Sequence, residues 1–263
     1  MNAGPYIAGG IIDAIGIGVF AFGFNRMHKY QLIQDTPRSN IRSMAKGLVE
    51  LEGKATASKP IIAHFSQTPC VYYRYTIEEY QEKVSKDSKG NSTTTREWVS
   101  VASDEQRTPF TLADSTGTVP IEPGGSECNV SLKKQFIQRA RIGLSITQII
   151  NTIKNNSSTA TATTQLGLIP LESTTLFENP QIGDRKYSEY YIEQHAPVFV
   201  IGTATITPAG TQVKKSENES TFIISDKSEK ELLKSLKWQM LSFFAIGGLL
   251  VIGGVLIMVL LGN

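Results

Sequence analysis

Hydrophobic residues are spread unevenly along the chain, with one long apolar run near each end and a patterned middle. Met240 to Leu261 reads MLSFFAIGGLLVIGGVLIMVLL, with Ser242 as its only strongly polar side chain. As a helix this run is about 33 Å long, enough to cross a hydrocarbon core of about 30 Å. Trp238 stands at its leading edge, where an indole favours the membrane interface. Ile7 to Phe24 is shorter, rich in Gly, and carries Asp13. A cleaved signal peptide wants a basic segment before its apolar run. Here Arg26 and Lys29 come after it, so the segment reads as a retained transmembrane helix.

Between these runs the period is mostly that of strands. Leu48 to Ala55 reads as one, with Gly53 at a bulge or close approach. Cys70 to Tyr80 is dense in aromatic and β-branched residues, which suit a half-buried pleated surface. A flexible polar tip over Ser85–Thr95 follows it, and Trp98–Val101 returns as its hairpin partner. Pro109–Asp114 and Thr118–Ile121 form a second hairpin, in which Gly117 supplies a positive φ at the turn. Leu132 to Lys154 changes to a four-residue apolar repeat and predicts a helix kinked near Gly143, with Lys133, Lys134, Arg139 and Arg141 on its polar side. Such a helix covers a sheet or, alternatively, lies on anionic headgroups. Asn155–Thr164 is low in complexity and reads as a loop. Strands resume at Tyr187–Glu193, Pro197–Ile206 and Phe222–Ser225. A charged helix, with Ser225 as its N-cap and Ser228 as the weaker candidate, then runs into the second span. The pattern amounts to an α+β chain: a β-rich middle domain (42–237, with 131–180 as a variable insertion) of one or two small barrel-like sheets and a covering helix, flanked by transmembrane helices at 7–24 and 240–261.

Charge sharpens this frame. The chain has 263 residues and a net charge of +2, an ordinary balance that argues against a nucleic-acid binder. Asp13 is the one charge before Asn25, and none follows Gln239. Arg26, Lys29, Arg38, Arg42 and Lys46 follow the first span; Lys227, Lys230, Lys234 and Lys237 precede the second. The positive-inside rule then puts the middle domain on the cytoplasmic side and both termini opposite. Five Asn-X-Ser/Thr matches, at Asn91, Asn129, Asn155, Asn156 and Asn218, point the other way, but they arise easily in a chain so rich in these residues. A cytoplasmic domain keeps Cys70 and Cys128 reduced.

Candidate chemistry is sparse. His28 is juxtamembrane, and His64 and His195 lie at no metal-ligand spacing. Cys70 opens an apolar strand, Cys128 sits in a polar turn region, and Asp114 before Ser-Thr-Gly reads as a turn residue bonding its own backbone. A hydrolase would need Asp114, His64, His195 or Cys128 gathered in one pocket. No catalytic, cofactor or metal residue is assigned. Asp13 is expected to reach the outer interface rather than to serve a pathway. Gly10, Ala14 and Gly18 share one helix face, as do Gly247 and Gly254, which suits close packing of the two helices or self-association.

Taken in order, Arg42–Ala55, Pro69–Tyr75, Trp98-Val99, Pro109–Gly117 and Pro197–Ala204 resemble the GIDE family of mitochondrial and chloroplast outer-membrane RING ubiquitin ligases and their prokaryotic relatives. The resemblance implies a "beside-a-membrane" domain between two transmembrane helices. Gly53, Cys70, Tyr73, Arg74, Trp98, Phe110, Asp114, Gly117 and Gly202 fall on its motifs, as structural residues. In those ligases a RING with two zinc ions follows the second helix. With two Cys and three His in this sequence, none after the second span, the eight ligands of a RING are missing. The resemblance therefore implies the membrane-framed module, as a non-enzymatic interaction or membrane-sensing module, without its ligase activity. Its partners are the lipid bilayer and a protein partner or a second copy. Ubiquitin-like conjugation components, with the RING supplied by another chain, are one alternative; a homo-oligomeric pore or ring is another.

Overall fold

The computed structural model describes residues 4–86, 90–140, 143–155, 166–171, 179–208, 210–217 and 221–261. Two long helices, α1 (Gly4–Asp35) and, at the other end, α3 (Glu229–Leu261), enclose a β-rich middle. The first sheet is a closed barrel. Strands β1 (Gly47–Thr56), β5 (Phe110–Ala113), β6 (Thr118–Ile121), β12 (Gly210–Lys214) and β11 (Pro197–Thr207) follow one another, and β1 pairs back onto β11. Beyond β11 the sheet continues through β13 (Ile223–Ser225) to β7 (Glu127–Asn129). Alternation along β1 sends Val49, Leu51 and Ala55 into the barrel, where they meet Leu112, Val200 and Val213. The expected close approach at Gly53 is present: a Cβ there would lie 2.5 Å from the carbonyl oxygen of Ala113, where β5 crosses over. Gly117 differs from expectation, for it does not have positive φ. The turn is held by Asp114, whose Oδ1 accepts bonds from the backbone N–H groups of Thr116 (2.6 Å) and Gly117 (2.9 Å).

The second sheet curves as a half-barrel in the order β2 (Ile61–Ile62), β3 (Pro69–Lys86), β10 (Arg185–Glu193), β8 (Leu132–Gln138), β9 (Ile169–Leu171), with β4 (Ser92–Arg107) also paired to β3. Its core is aromatic: Phe65 meets Tyr75, Tyr187 and Phe136 at ring centroid separations of 5.7, 5.3 and 6.0 Å. The polar tip expected over Ser85–Thr95 is mostly strand, since β3 runs to Lys86 and β4 starts at Ser92. Three consecutive β-branched threonines and the cross-strand pairs Glu82–Arg96 and Lys83–Glu97 carry the ribbon outward.

The helix expected over 132–154 is a correction. Leu132–Gln138 is the strand β8, and only Ile146–Asn155 is helical, as α2. Apolar residues four apart also share a strand face, and pairing with β10 settles the choice for Leu132 and Phe136. Helix α2 starts at Ser145, whose Oγ accepts from the N–H of Gln148 while Gln148 Oε1 accepts from the N–H of Ser145. It covers the second sheet through Ile149 and Ile153. Arg141 and most of the 155–164 stretch lie outside the described residues.

The helices α1 and α3 are each long and apolar enough to cross a membrane, and they pack antiparallel along a glycine seam. A Cβ on Gly9 would strike Met258 and Gly254, one on Gly16 would strike Val251 and Gly247, and one on Gly23 would strike Phe244. Each step of seven residues up α1 is matched by a step back along α3, from Gly254 to Gly247. The Gly10, Ala14 and Gly18 face is not this seam. Nothing lies within 4 Å of a Cβ on Gly10 or Gly18, and Ala14 is exposed. Repeats of four and of seven both mark helix faces, and here the seven-residue set has the partner.

Substitutions at the seam should therefore separate the two faces. Gly16→Val and Gly247→Val force the helices apart and are expected to lower stability by about 1–3 kcal/mol, read as thermal unfolding in detergent. Gly18→Val should leave the melting temperature unchanged.

Candidate functional site

Beyond the apolar runs both helices continue unbroken, over Asn25–Asp35 and Glu229–Gln239. Eleven residues on each side make a two-helix stalk about 16 Å long. Ser228 starts α3 with a reciprocal cap to Glu231, so the expected cap at Ser225 shifts by three residues. Ser225 instead donates its hydroxyl to the carbonyl of Asn129, joining β13 to β7.

The barrel is laid crosswise on this stalk. Ile33 of α1 is fully buried among Phe199, Ile201 and Ile223 of the sheet and Leu232 and Leu236 of α3. Glu50, Ile201, Ile223 and Glu127 stand abreast across β1, β11, β13 and β7. Glu50 lies under the influence of Glu229 and Arg38, at the end of the stalk far from the apolar runs. Glu127 pairs with Arg26 and Lys29, just past the apolar run of α1. Three strand spacings are about 14 Å, close to the length of the stalk. The strands thus cross the helices, with β7 nearest the apolar segments and β1 farthest.

Two carboxyl groups in this region are unusual. Glu50 is 2% exposed, and its Oε2 has no hydrogen-bond partner. Burial, reinforced by the charge of Glu229, pushes its pKa up to about 7 against the opposing effect of Arg38. Arg38 itself bonds Glu52 at 2.8 Å. Asp13 does not turn outward as expected. Its Oδ1 is buried without a partner beside Gly254, where any side chain would collide with it. The missing side chain of Gly254 leaves room for that carboxyl in the helix seam.

The other residues singled out in the sequence have separate structural tasks. Tyr73 is buried and donates its hydroxyl to Glu189 Oε1 (3.1 Å). Glu189, itself buried, also accepts from the N–H groups of Phe65 (2.6 Å) and Ser66 (3.0 Å) and so clamps the β2–β3 turn. Cys70 is buried, and burial pushes its thiol up to about 12. Arg74 lies over the ring of Tyr190 at 4.4 Å. Trp98 stacks near Tyr80, with Lys186 over its ring at 4.8 Å. Phe110 is in the barrel core, and Gly202 makes room for Phe222 and Val213. Asp114 accepts four bonds; burial works against its charge, but donors at Ile41, Thr116 and Gly117 outweigh it and hold the carboxyl at about 2.

The hydrolase quartet is not assembled. Asp114 belongs to the β5–β6 turn, His64 stacks on Tyr73, His195 bonds Thr56 in the β10–β11 turn, and Cys128 meets Ser126 on β7. Burial raises the Cys128 thiol and lowers His64, so both are neutral near pH 7. Among the described residues no three His, Cys, Asp or Glu side chains form a group able to hold a metal ion. Glu50, Glu127 and Glu189 went unmarked in the sequence. In Leu48-Val-Glu-Leu-Glu the alternation marks Glu50 as solvent-facing, and only the helices covering that face make it unusual.

No match to a curated protein or to a solved structure was found. The sequence model of the GIDE family, described as an E3 ubiquitin ligase, matches residues 78–258. That stretch begins inside β3 and takes in β10, β11, β13 and nearly all of α3, hence most of the barrel's seat on the stalk. With a crosswise barrel seated on two apolar helices and a family match over more than half its length, the chain belongs to the GIDE family.

Proposed function

We propose that this protein is a membrane-anchored, non-enzymatic interaction module whose middle domain is held on the cytoplasmic side, both termini lying opposite. The observation that carries this reading is the stalk. Helices that pass without a break from the apolar runs to the barrel's seat set the height of the seated domain above the apolar segments. The basic residues Arg26 and Lys29 at the foot of α1, with Lys234 and Lys237 on α3, support the orientation. Asp114, His64, His195 and Cys128 lie apart in separate structural contacts, which supports a role in recruiting partners rather than in catalysis. The β3–β4 ribbon, protruding beyond the edge where β10 stops pairing at Glu79, offers a surface for a protein partner.

The family's description as E3 ubiquitin ligase favours a second reading: a component of a conjugation system whose RING comes from another chain. Incubating the purified chain with activating enzyme, conjugating enzyme and ubiquitin should give no conjugates above the enzyme-only background. Conjugates formed by the chain alone would overturn the non-enzymatic reading, and their appearance only on addition of a co-purified RING protein would favour the second.

Orientation is tested separately. A cysteine placed at Ser92 on the ribbon should react with an impermeant maleimide only after the cytoplasmic face is opened, and one at Asn2 without opening. The reverse pattern inverts the topology.

A further inference from the structure

The barrel is attached to the stalk by a small apolar seam, and one carboxyl group is built into it. Glu50 sits on the outer face of β1 between Leu48 and Glu52, directly across from Ile201 of β11. Leu48 and Ile201 pack against Ile33, Leu232 and Leu236 of the two helices. Glu50 therefore sits in a seam built mainly of hydrocarbon. Its Oε2 is buried and unpartnered. The charged groups acting on it are Glu229 at the start of α3, Arg38 from the α1–β1 connection, and Glu52 on its own strand. Two of these three repel a carboxylate, and the third, Arg38, is bonded to Glu52. Around the same seam α1 and α3 contribute Ile33, Leu232, Leu236 and the partly buried Tyr30, and β11 contributes Ile201 and, across from Leu48, Thr203, whose buried Oγ1 is also unpartnered.

We infer that Glu50 is a proton-operated latch: protonated, it lets the barrel seat on the helix stalk, and ionised, it loosens that seat. The inference concerns the joint alone and stands apart from the partner the domain recruits. An ionised Glu50 in the seated barrel would have to hold a charge among Ile201, Leu48 and the helix side chains and against Glu229. When the barrel lifts, the carboxylate regains water at little cost. Two clefts, of about 550 Å³ and 240 Å³, meet at Glu52, the next residue along the same strand face, and bring solvent to the edge of the seam. Residues Arg38 and Asp114 border the first, and Asp226 and Ser228 the second.

The sign follows from proton linkage. An acid that is harder to ionise in the seated state binds a proton there that the lifted state has already released. Seating is strongest below the ordinary glutamate range, near 4.5, and weakens as the pH rises through about 7, with no further loss above that. Between pH 6.0 and 7.5 the seating equilibrium should weaken by roughly eightfold.

The test is amide hydrogen exchange on the full chain in lipid nanodiscs at pH 6.0 and 7.5, corrected for intrinsic rates. Protection of Ile223, Ile224 and the Asn25–Asp35 segment should fall several-fold at the higher pH in the wild type. In Glu50→Gln it should be high and equal at both values. Glu229→Gln, which removes one like charge without touching the seam, should shrink the pH effect while keeping its direction. Equal wild-type protection at both pH values would overturn the latch, as would a pH effect that survives intact in Glu50→Gln.

Discussion

The antiparallel pairing of α1 and α3 is the constraint on which the rest of the structure depends. These helices come from opposite ends of the sequence, yet glycines at matched heptad steps let their backbones meet along the apolar length. Their continuations then present a single two-helix surface to the sheet. Because β13 leads through Asp226–Ser228 into α3, and Glu127 reaches back to Arg26 and Lys29, the sheet has little freedom in how it lies. The crosswise seat follows, with the short β13 and β7 appended to the barrel on the side of the apolar segments. The barrel closes between β1 and β11, while the stalk determines which of its outer faces is covered.

Much of this was legible in the residues. The two apolar runs, the β1, β3, β5, β6, β10 and β11 strands and the close approach at Gly53 all follow from period and composition. The failures at β8, at the β3–β4 ribbon and at the helix seam share a cause: each turned on a partner that the local sequence does not contain. Leu132 and Phe136 suit a helix as well as a strand until β10 lies beside them. The threonines of Ser92–Thr95 suit a loop until Glu82 and Lys83 face Arg96 and Glu97. Gly10, Ala14 and Gly18 form a respectable packing face, but Gly9, Gly16 and Gly23 hold the seam because the opposing helix offers Gly254, Gly247 and Phe244 there.

The same reasoning explains why the joint itself was unmarked. Glu50 and Glu52 look alike in the sequence, two residues apart on one strand face. One is paired with Arg38 at the rim of a cleft; the other is sealed beneath the helices. A buried carboxyl costs stability unless it is neutral or bonded, and the molecule uses both solutions. Glu189 is tied down by two backbone donors and a tyrosine, and its turn is the more rigid for it. Glu50 Oε2 has no such donor, so burial and the neighbouring charges decide its protonation.

Asp13 has a consequence for how the chain is made. Its resting place is the space left by Gly254, and that glycine is synthesised some 240 residues later. At 5–20 residues per second this is roughly ten to fifty seconds of translation. Throughout that interval the first helix has no partner against which to lay its carboxyl, and for most of it the barrel lacks β11, the strand that closes it. A factor that shelters a polar side chain on an unpaired helix would act in that window, and its work would end when the last helix emerges.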